Sequence, residues 1–388
     1  MPHASTLLSG SRRKWLQCTA LAGMALAAPL RAQESPAARN ARSATTTTIT
    51  IAQVADMSPL QQDVSRDFLI GSRAAWQALN AAGGLQGRPV HHLVLETDGS
   101  AASLQAAWHK AHAHPGCVAL SGCVGSATAA SLAALQNRTG TSTPLAQIAP
   151  WLHSRPERLA DDLVFDIFPG VRAQIAHALK TMLFTGLRDV GVVYGNAPLQ
   201  QQSQAEITRV AQSMDLRTHT LAHGHPDRTT PPQAVVLFIG GTPELHAFTR
   251  QLLLPPGRQC YVVALADANL QVLAQLGGTP RNVSVIATQA VPLITSSLPV
   301  VRAYRQTLAR LYDEPPSPLG LAGFIAARYT ADTLARIDAA PTRTNVLAAL
   351  RRRPDTDIGG FRVVFQGTQR TSAFVTQTML TPDGRIIG

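Results

Sequence analysis

The loop Gly122–Thr128 has residue types that could hold a small anion. It follows a predicted buried strand at Cys117–Gly122 and places the hydroxyl residues Ser126 and Thr128 where a helix begins. A helix N-terminus offers free N–H groups and a positive partial charge, so this loop could receive a carboxylate. The same residues would also serve as an ordinary helix N-cap. The loop lacks the lysine of a P-loop, which disfavours nucleotide hydrolysis.

Two groups of histidines are the other candidates for chemistry. His109, His112 and His114 lie near Cys117, and a second group spans 219–225. Neither group has a carboxylate or a cysteine pair at a recognised ligand spacing, so we interpret them as solvated loop histidines. No Gly-x-Ser-x-Gly nucleophile elbow is present either. We therefore expect no enzyme activity, no metal and no cofactor, and we keep a metal-dependent hydrolase as an alternative.

Alternating strands and helices must position these loops. From Thr48, short β-branched runs alternate with helical stretches, first as far as Phe168 and then in a second series. Strands that are apolar on both faces indicate parallel sheets covered by helices. The predicted fold class is α/β, with two doubly wound parallel-sheet lobes. Ligands of such sheets bind beyond the carboxyl ends of the strands, which here include the loops after Gly122, Ala149, Tyr194 and Ala266.

The composition excludes several classes of protein. The chain has 388 residues with 45% hydrophobic and 15% charged residues, which is incompatible with a disordered chain and favours two domains. Its 34 basic and 23 acidic residues give a net charge of +11. The run Arg351–Arg353 stands alone as a basic tract, and aromatic residues do not interleave with the arginines, so we expect no nucleic-acid partner.

The first 32 residues are typical of an export signal. Residues 11–17, Ser-Arg-Arg-Lys-Trp-Leu-Gln, resemble the twin-arginine consensus, and an apolar stretch of about 13 residues follows. That stretch is shorter than the roughly 20 residues needed to span a bilayer. We assign 1–32 to the signal and 33–47 to a linker, and we expect an exported, periplasmic protein.

The remaining cysteines do not suggest a disulfide framework. Cys117 and Cys123 flank a predicted strand and would lie roughly 20 Å apart, beyond the reach of a disulfide. Together with Cys260 they make an odd number. We interpret all three as small buried residues.

Five segments follow one another in an order that is characteristic of one family. They are Ile70–Val90, Glu96–Gly99, Leu298–Tyr304, Gly323–Arg328 and Asp357–Phe365. Through these segments the chain resembles the type I periplasmic binding proteins, in particular the branched-chain amino-acid-binding group of ABC transporter components. The resemblance runs from about Thr48 to the C-terminus and does not identify the ligand.

The resemblance implies two lobes that close on a ligand like a hinged clamp. Three chain crossings would join them, near 168–170, 292–297 and 339–344. The N-terminal lobe would then comprise 48–168 plus 295–343, and the C-terminal lobe 169–294 plus 344–388.

The resemblance also implies a ligand site between the lobes. Hydroxyl and N–H groups of two first-lobe loops hold the ligand in such amino-acid binders, and Ser126 and Thr128 match the first loop. The second loop keeps Ala149 and has Trp151 where an aromatic residue is common. On the second lobe, a predicted strand ends at Tyr194 and would bring this residue to the same ligand site.

The chain departs from the family pattern at several positions, most of them in the second lobe. Leu199-Gln200 replaces the usual aromatic-glycine pair, and Ala322 replaces a common glutamate. The acid that pairs with a ligand's ammonium should lie at Ala266, and Asp267 is its neighbour. Either Asp267 takes that role or the ligand is not an α-amino acid.

The function implied is that of a periplasmic solute-binding component of an ABC transporter. It would bind a small amino acid or a related carboxylate, act as a monomer and deliver its ligand to an inner-membrane permease. Two alternatives keep the same fold. The chain could be a ligand sensor that passes its closed state to a membrane receptor, or a paralogue whose cleft no longer binds tightly.

Overall fold

The computed structural model describes most of the chain after the predicted signal and linker. The described residues are 48–125, 127–140, 143–151, 163–183, 186–222, 224–366, 369–370 and 374–388. The export signal at 1–32 and the linker at 33–47 therefore lie outside them. Thr46–Gly388 forms a single compact unit. In the described part of the chain, no helix combines the length and apolar character needed to cross a membrane.

The strands and helices alternate as the sequence predicts. The strands are β1 (Ile49–Asp56), β2 (Val90–Thr97), β3 (Cys117–Ser121), β4 (Ala146–Ile148), β5 (Val164–Phe165), β6 (Asp189–Tyr194), β7 (Arg217–Thr220), β8 (Val235–Ile239), β9 (Cys260–Ala264), β10 (Val283–Gln289), β11 (Thr356–Ile358), β12 (Phe361–Val363), β13 (Phe365–Gln366), β14 (Gln369–Arg370), β15 (Thr376–Leu380) and β16 (Ile386–Ile387). The helices are α1 (Gln62–Ala81), α2 (Ala101–Ala113), α3 (Thr128–Thr139), α4 (Val171–Leu183), α5 (Ala197–Gln212), α6 (Pro226–Thr229), α7 (Thr242–Arg250), α8 (Leu270–Gln275), α9 (Pro299–Leu311), α10 (Pro318–Ala335) and α11 (Arg343–Arg351).

The first lobe is built on a parallel sheet of five strands, in the order β2-β1-β3-β4-β5. All eight residues of β1 are buried, because helices cover both faces of the sheet. Ile49 and Ile51 join a core formed with α1 and α10. Ala52 and Val54 point to the opposite face and join a core formed with α2 and α3. The first lobe is therefore doubly wound, as predicted.

The second lobe is built on a sheet of seven strands, in the order β16-β15-β10-β9-β8-β6-β7. Strands β6 to β10 pair in parallel, whereas β15 and β16 add an antiparallel edge. On β6, Val192 packs with α4 and α5, while Val193 faces the opposite core. The predicted class, α/β with two doubly wound lobes, is confirmed. The antiparallel edge was not predicted.

Glycines allow α1 and α10 to cross in close contact. A Cβ atom on Gly71 would overlap the carbonyl oxygen of Gly320, and one on Gly323 would overlap the carbonyl oxygen of Phe68. The Ser72 hydroxyl lies 3.2 Å from the carbonyl oxygen of Gly323 and 3.1 Å from that of Phe68. Two of the family-like segments, Ile70–Val90 and Gly323–Arg328, thus meet at this helix crossing.

Two segments of the chain run from elements of one sheet to elements of the other. Phe168–Gly170 links β5 of the first lobe to α4 of the second, and Pro292–Ser297 links β10 to α9. Helix α9 packs on α1, so this segment has returned to the first lobe.

The third crossing differs from the position near 339–344 that the sequence suggested. Val346, Leu347 and Leu350 of α11 pack into the first-lobe core, and so does Phe361 of β12. The Arg343 guanidinium group secures α11 by donating to the carbonyl oxygens of Cys117 and His112, at 2.9 Å and 2.6 Å. The segment 344–363 therefore belongs with the first lobe, and the chain joins the sheet of the second lobe at β15.

The three cysteines of the described chain are buried free thiols, as predicted. Burial raises the pKa of Cys117 to about 11, that of Cys123 to about 12 and that of Cys260 to about 11. They are therefore protonated and unreactive at neutral pH.

Candidate functional site

Three first-lobe segments come together at the carboxyl end of the sheet. The amide of Val124 donates to Val54, and its carbonyl accepts from the amide of Asp56. The amide of Trp151 donates to the carbonyl of Cys123 at 2.8 Å. These bonds extend the ladders of β1, β3 and β4 beyond the strands, so the two predicted ligand loops lie side by side.

Thr128 and Ala149 lie on these two loops, and both are buried. The amide of Thr128 donates to the carbonyl of Gly125 at 3.1 Å, and the amide of Ala149 donates to Phe165 at 2.8 Å. Both backbone donors therefore already have partners inside the protein. A ligand would meet the Thr128 hydroxyl rather than these two amides. Ser126, the other hydroxyl residue of the prediction, lies outside the described residues.

Trp151 is held in an aromatic cluster beside the first crossing. Its ring centroid lies 5.8 Å from that of Phe68 and 5.1 Å from that of Phe168. Only 5% of the residue is exposed. Its indole Nε1 donates a buried hydrogen bond of 2.7 Å to Oδ1 of Asp267. Two predicted site residues from different lobes are thus in direct contact.

Asp267 lies in the loop after β9 and is 3% exposed. Gln174 of α4 fixes this loop, because its Oε1 accepts from the amide of Ala266 at 2.9 Å. The Nε2 of the same side chain donates to the carbonyl of Pro169 in the first crossing, at 3.0 Å. The position of Asp267 is therefore tied directly to the hinge.

A second set of contacts between the lobes was not predicted. Thr242 of α7 donates to the Asp63 carboxylate, and Asn269 donates to Asp67 at 3.0 Å. The Thr242 hydroxyl also accepts from the amide of Asn269 at 2.9 Å. Asp63 and Asp67 are one turn apart on α1, so one helix face meets this second-lobe pair. We call these four residues the interlobe seam.

Burial in the interlobe seam shifts the titration of its carboxyl groups. Loss of solvent raises the pKa of Asp63 above its ordinary value of 3.8, and the nearby charge of Asp267 adds to the rise. Loss of solvent likewise raises the pKa of Asp67, with the charges of Asp63 and Glu314 acting in the same direction. The hydrogen bonds from Thr242 and Asn269 oppose these shifts. Protonation of the carboxyl groups therefore favours the buried arrangement.

The structure places Tyr194 in the core of the second lobe. The residue is 3% exposed and packs against residues of α4 and α5. Its hydroxyl is hydrogen-bonded to Thr220 on β7, and burial raises its pKa to about 12. Of the predicted second-lobe residues, it is Asp267 rather than Tyr194 that meets the first lobe.

The histidine groups take up surface and packing roles. His109 and His112 lie against the indole of Trp108, with ring centroids 4.8 Å and 5.1 Å away. His219 pairs with Asp189 at 2.9 Å on the surface. Within the described ranges, no cluster of three or more His, Cys, Asp or Glu side chains could hold a metal ion.

The fold and the sequence together define the class of protein. The profile of the family described as Periplasmic binding protein matches residues 48–381. The chain therefore belongs to the periplasmic binding protein family, and the predicted type I fold is confirmed. This is a family of substrate-binding proteins, which are not enzymes. A comparison with curated proteins gives no match.

Several solved structures are similar to this chain. A substrate-binding periplasmic protein from Ralstonia solanacearum is 21% identical, with a TM-score of 0.76 over 87% of this chain and 99% of that one. A substrate-binding protein of an ABC transporter from Desulfitobacterium hafniense, in complex with Leu, is 17% identical, with a TM-score of 0.66 over 88% and 99%. A fatty acid ABC transporter substrate-binding protein from Thermomonospora curvata is 14% identical, with a TM-score of 0.68 over 88% and 90%. At these identities the comparisons establish the fold alone.

Proposed function

We propose that this protein is the periplasmic substrate-binding component of an ABC transporter. It holds a small carboxylate, an amino acid or a related organic acid, between its two lobes, and it delivers that ligand to an inner-membrane permease. Thr128 provides a hydroxyl group for the carboxylate, and Trp151 packs on the body of the ligand. Asp267 closes the site from the second lobe.

The hydrogen bond between Trp151 and Asp267 is the observation that carries this proposal. It joins the loop after β4 in the first lobe to the loop after β9 in the second, at 2.7 Å. Both side chains are buried because the lobes are together. They mark the two surfaces that a clamp would bring onto a ligand.

The chemistry of the site supports a carboxylate ligand. Thr128 is the first residue of α3, whose N-terminus carries a positive partial charge. The residue before it, Ala127, gives the helix start no side-chain cap. Leu and fatty acids, which appear in the descriptions of two structurally similar proteins, are both carboxylic acids.

The second lobe favours an organic acid over an α-amino acid. Oδ1 of Asp267 already accepts a hydrogen bond from the indole of Trp151. An ammonium group on the ligand would have to share this buried carboxylate with the indole N–H. A carboxylate without an amine leaves the pair intact.

A thermal-shift panel tests the proposed function. The purified protein would be screened against amino acids, their amides, dicarboxylates, and branched and aromatic carboxylic acids. A ligand that binds only the folded state adds about 2.7 kcal/mol at a hundredfold excess over its Kd, which is easily detected. We expect hits that all contain a carboxylate.

Two threonine variants provide the matched control for the panel. Thr128→Val removes the proposed ligand-binding hydroxyl and should lower the affinity for the compounds that stabilise the wild type. Thr139→Val changes the other end of the same helix, where the hydroxyl bonds to the carbonyl of Leu135, and should leave affinity unchanged. Stabilisation by the amides alone, or by no compound in the panel, would contradict the proposal.

A further inference from the structure

A cavity lies between the lobes, beside the second crossing. Its volume is about 130 Å³. Its walls come from the loop after β9, the end of β10, the crossing segment, the start of α10 and the C-terminal strands. Ala266 and Ala268, which flank Asp267, line it, whereas Asp267 itself does not. The cavity is therefore distinct from the Trp151–Asp267 contact.

The walls of this hinge cavity have no ionisable side chains. Leucine and isoleucine side chains from four segments supply most of the surface, namely Leu270, Leu293, Ile294, Leu319 and Ile386. The remaining side chains carry amides and hydroxyls or belong to alanine and proline, and the backbone of Gly388 completes the wall. A charged ligand would lose its hydration here without gaining an oppositely charged side chain, so the cavity favours an uncharged one.

One buried amide in the wall has an unused hydrogen-bonding atom. Gln289 is 6% exposed, and its Nε2 donates to the Thr378 hydroxyl at 2.7 Å. Among the described residues, none gives its Oε1 a hydrogen bond. The Thr378 hydroxyl can accept or donate, so turning the amide over would leave the nitrogen unused instead. Buried polar atoms are normally paired, which indicates that a further group belongs here.

We propose that the hinge cavity is a second binding site, for a small uncharged molecule with an apolar body and one hydroxyl group. A hydroxyl both donates and accepts, so it satisfies Gln289 in either orientation of the amide. The volume is close to that of an engineered apolar cavity of about 150 Å³ that binds benzene. A single aromatic ring or a short branched alcohol would therefore fit.

Occupancy of the hinge cavity is coupled to the positions of the lobes. Leu319 belongs to the first lobe, Gln289 to the second, and Ile294 to the crossing between them. A molecule that touches all three has its full set of contacts only while the lobes are together. By linkage, it stabilises that arrangement and raises the affinity of any ligand that requires closure.

Fluorine NMR titrations of the full chain with two matched probes test the proposal. 4-Fluorophenol and 4-fluorotoluene have the same ring and differ in the hydroxyl group. We expect both to bind, with the phenol roughly 3- to 10-fold tighter because of its hydrogen bond. Gln289→Leu should abolish that preference while leaving the binding of the toluene nearly unchanged.

Variants that fill the cavity complete the test. Leu293→Phe and Ile294→Phe should each prevent binding of both probes. Both variants are made so that the test still stands if one of them fails to fold. Leu254→Phe, at a half-buried leucine elsewhere in the second lobe, is the matched control and should bind as the wild type does. These titrations use no ligand of the cleft, so their outcome is separate from that of the proposed function.

Three results would overturn the hinge site. Failure of both probes to bind the wild type would indicate a cavity filled only by water. Unchanged binding in both filling variants would place the probes elsewhere. A preference for the phenol that survives in Gln289→Leu would show that this amide is not the recognition group.

Discussion

Nε1 of Trp151 and Oδ1 of Asp267 lie 2.7 Å apart, in a hydrogen bond that crosses from one lobe to the other. Each residue is fixed within its own lobe. The Trp151 ring packs on Phe68 and Phe168, and Gln174 holds the loop that precedes Asp267. The bond therefore forms when the two lobes come together and breaks when they separate.

Trp151→Phe should weaken closure without disrupting the aromatic cluster. The phenyl ring keeps contact with Phe68 and Phe168 but leaves the buried Oδ1 of Asp267 without the indole donor. Loss of this hydrogen bond should destabilise the closed arrangement by about 1–3 kcal/mol and leave the open one unaffected. Small-angle X-ray scattering of the ligand-free protein should then show a larger radius of gyration than for the wild type.

Trp108→Phe is the matched control for that experiment. Trp108 is also buried, and its Nε1 has no hydrogen-bond partner in the described chain. Removing its N–H should leave the scattering curve unchanged. Equal curves for the wild type and Trp151→Phe would show that the indole bond does not hold the lobes.

Trp151→Phe should also alter the ligand preference. Leucine and 4-methylpentanoate differ only in the α-amine. The wild type should favour the acid that lacks the amine, because Trp151 already donates to Asp267. In Trp151→Phe the carboxylate no longer accepts from the indole, so an ammonium group can donate in its place, and relative affinity should move toward leucine by about 3- to 10-fold. Isothermal titration of both ligands measures the change, and an unaltered ratio would argue against a role of Trp151 in specificity.

Closure should become more favourable as the pH falls. Burial raises the pKa values of Asp63 and Asp67 in the closed arrangement, whereas exposure in an open one would return them toward 3.8. At pH values between 3.8 and the raised pKa values, these carboxyl groups are therefore protonated to a greater extent in the closed arrangement than in the open one. Its stability relative to the open arrangement rises as the pH falls through that window and is lowest above it.

Scattering measured from neutral pH to about pH 4 tests this dependence. The groups that face the two carboxyls are Arg66, Glu314, Tyr304, Asp267 and Ser317, together with the seam partners Thr242 and Asn269. Replacing both carboxyl groups, in Asp63→Asn with Asp67→Asn, should remove the dependence. A closed fraction that falls on acidification would contradict the prediction.

The crossing of α1 and α10 should tolerate no added side chain. In Gly323→Ala the new methyl group would meet the backbone of Phe68. Backbone cannot move aside as a side-chain end can, so the helices must separate, at a cost of about 1–3 kcal/mol or more in the free energy of unfolding. Denaturant unfolding measures this. Gly170→Ala, whose Cβ would meet no atom within 4 Å, is the control, and equal stability of the two variants would refute the packing argument.

Local patterns in the sequence predicted most of the scaffold. The predicted alternation of strands and helices from Thr48 onward is present, as in the strand Asp189–Tyr194 and the helix Ala101–Ala113. Their β-branched runs, helical periodicity and caps all lie within a few residues of one another. The buried strand ends that carry Trp151 and Asp267 could be located in the same way, because parallel sheets place their ligand loops at one edge.

Contacts between distant residues could not be predicted. Asp63 and Thr242 are 179 residues apart, and neither has a local feature that points to the other. Helix α11 was assigned to the second lobe because the sequence shows its amphipathic face but not which sheet that face covers. Tyr194 ends the expected strand, yet only the packing of β6 on β7 directs its hydroxyl to Thr220.

The carboxylate requirement is the central claim, and titration of a matched acid and amide tests it most directly. The strongest acid from the ligand panel would be titrated calorimetrically against its own carboxamide, with wild-type protein and with Thr128→Val. We predict that the amide binds at least about tenfold more weakly than the acid to the wild type, a difference of about 1.4 kcal/mol. Thr128→Val should reduce that difference. Equal affinity of acid and amide for the wild type would contradict the claim that the lobes close on a carboxylate.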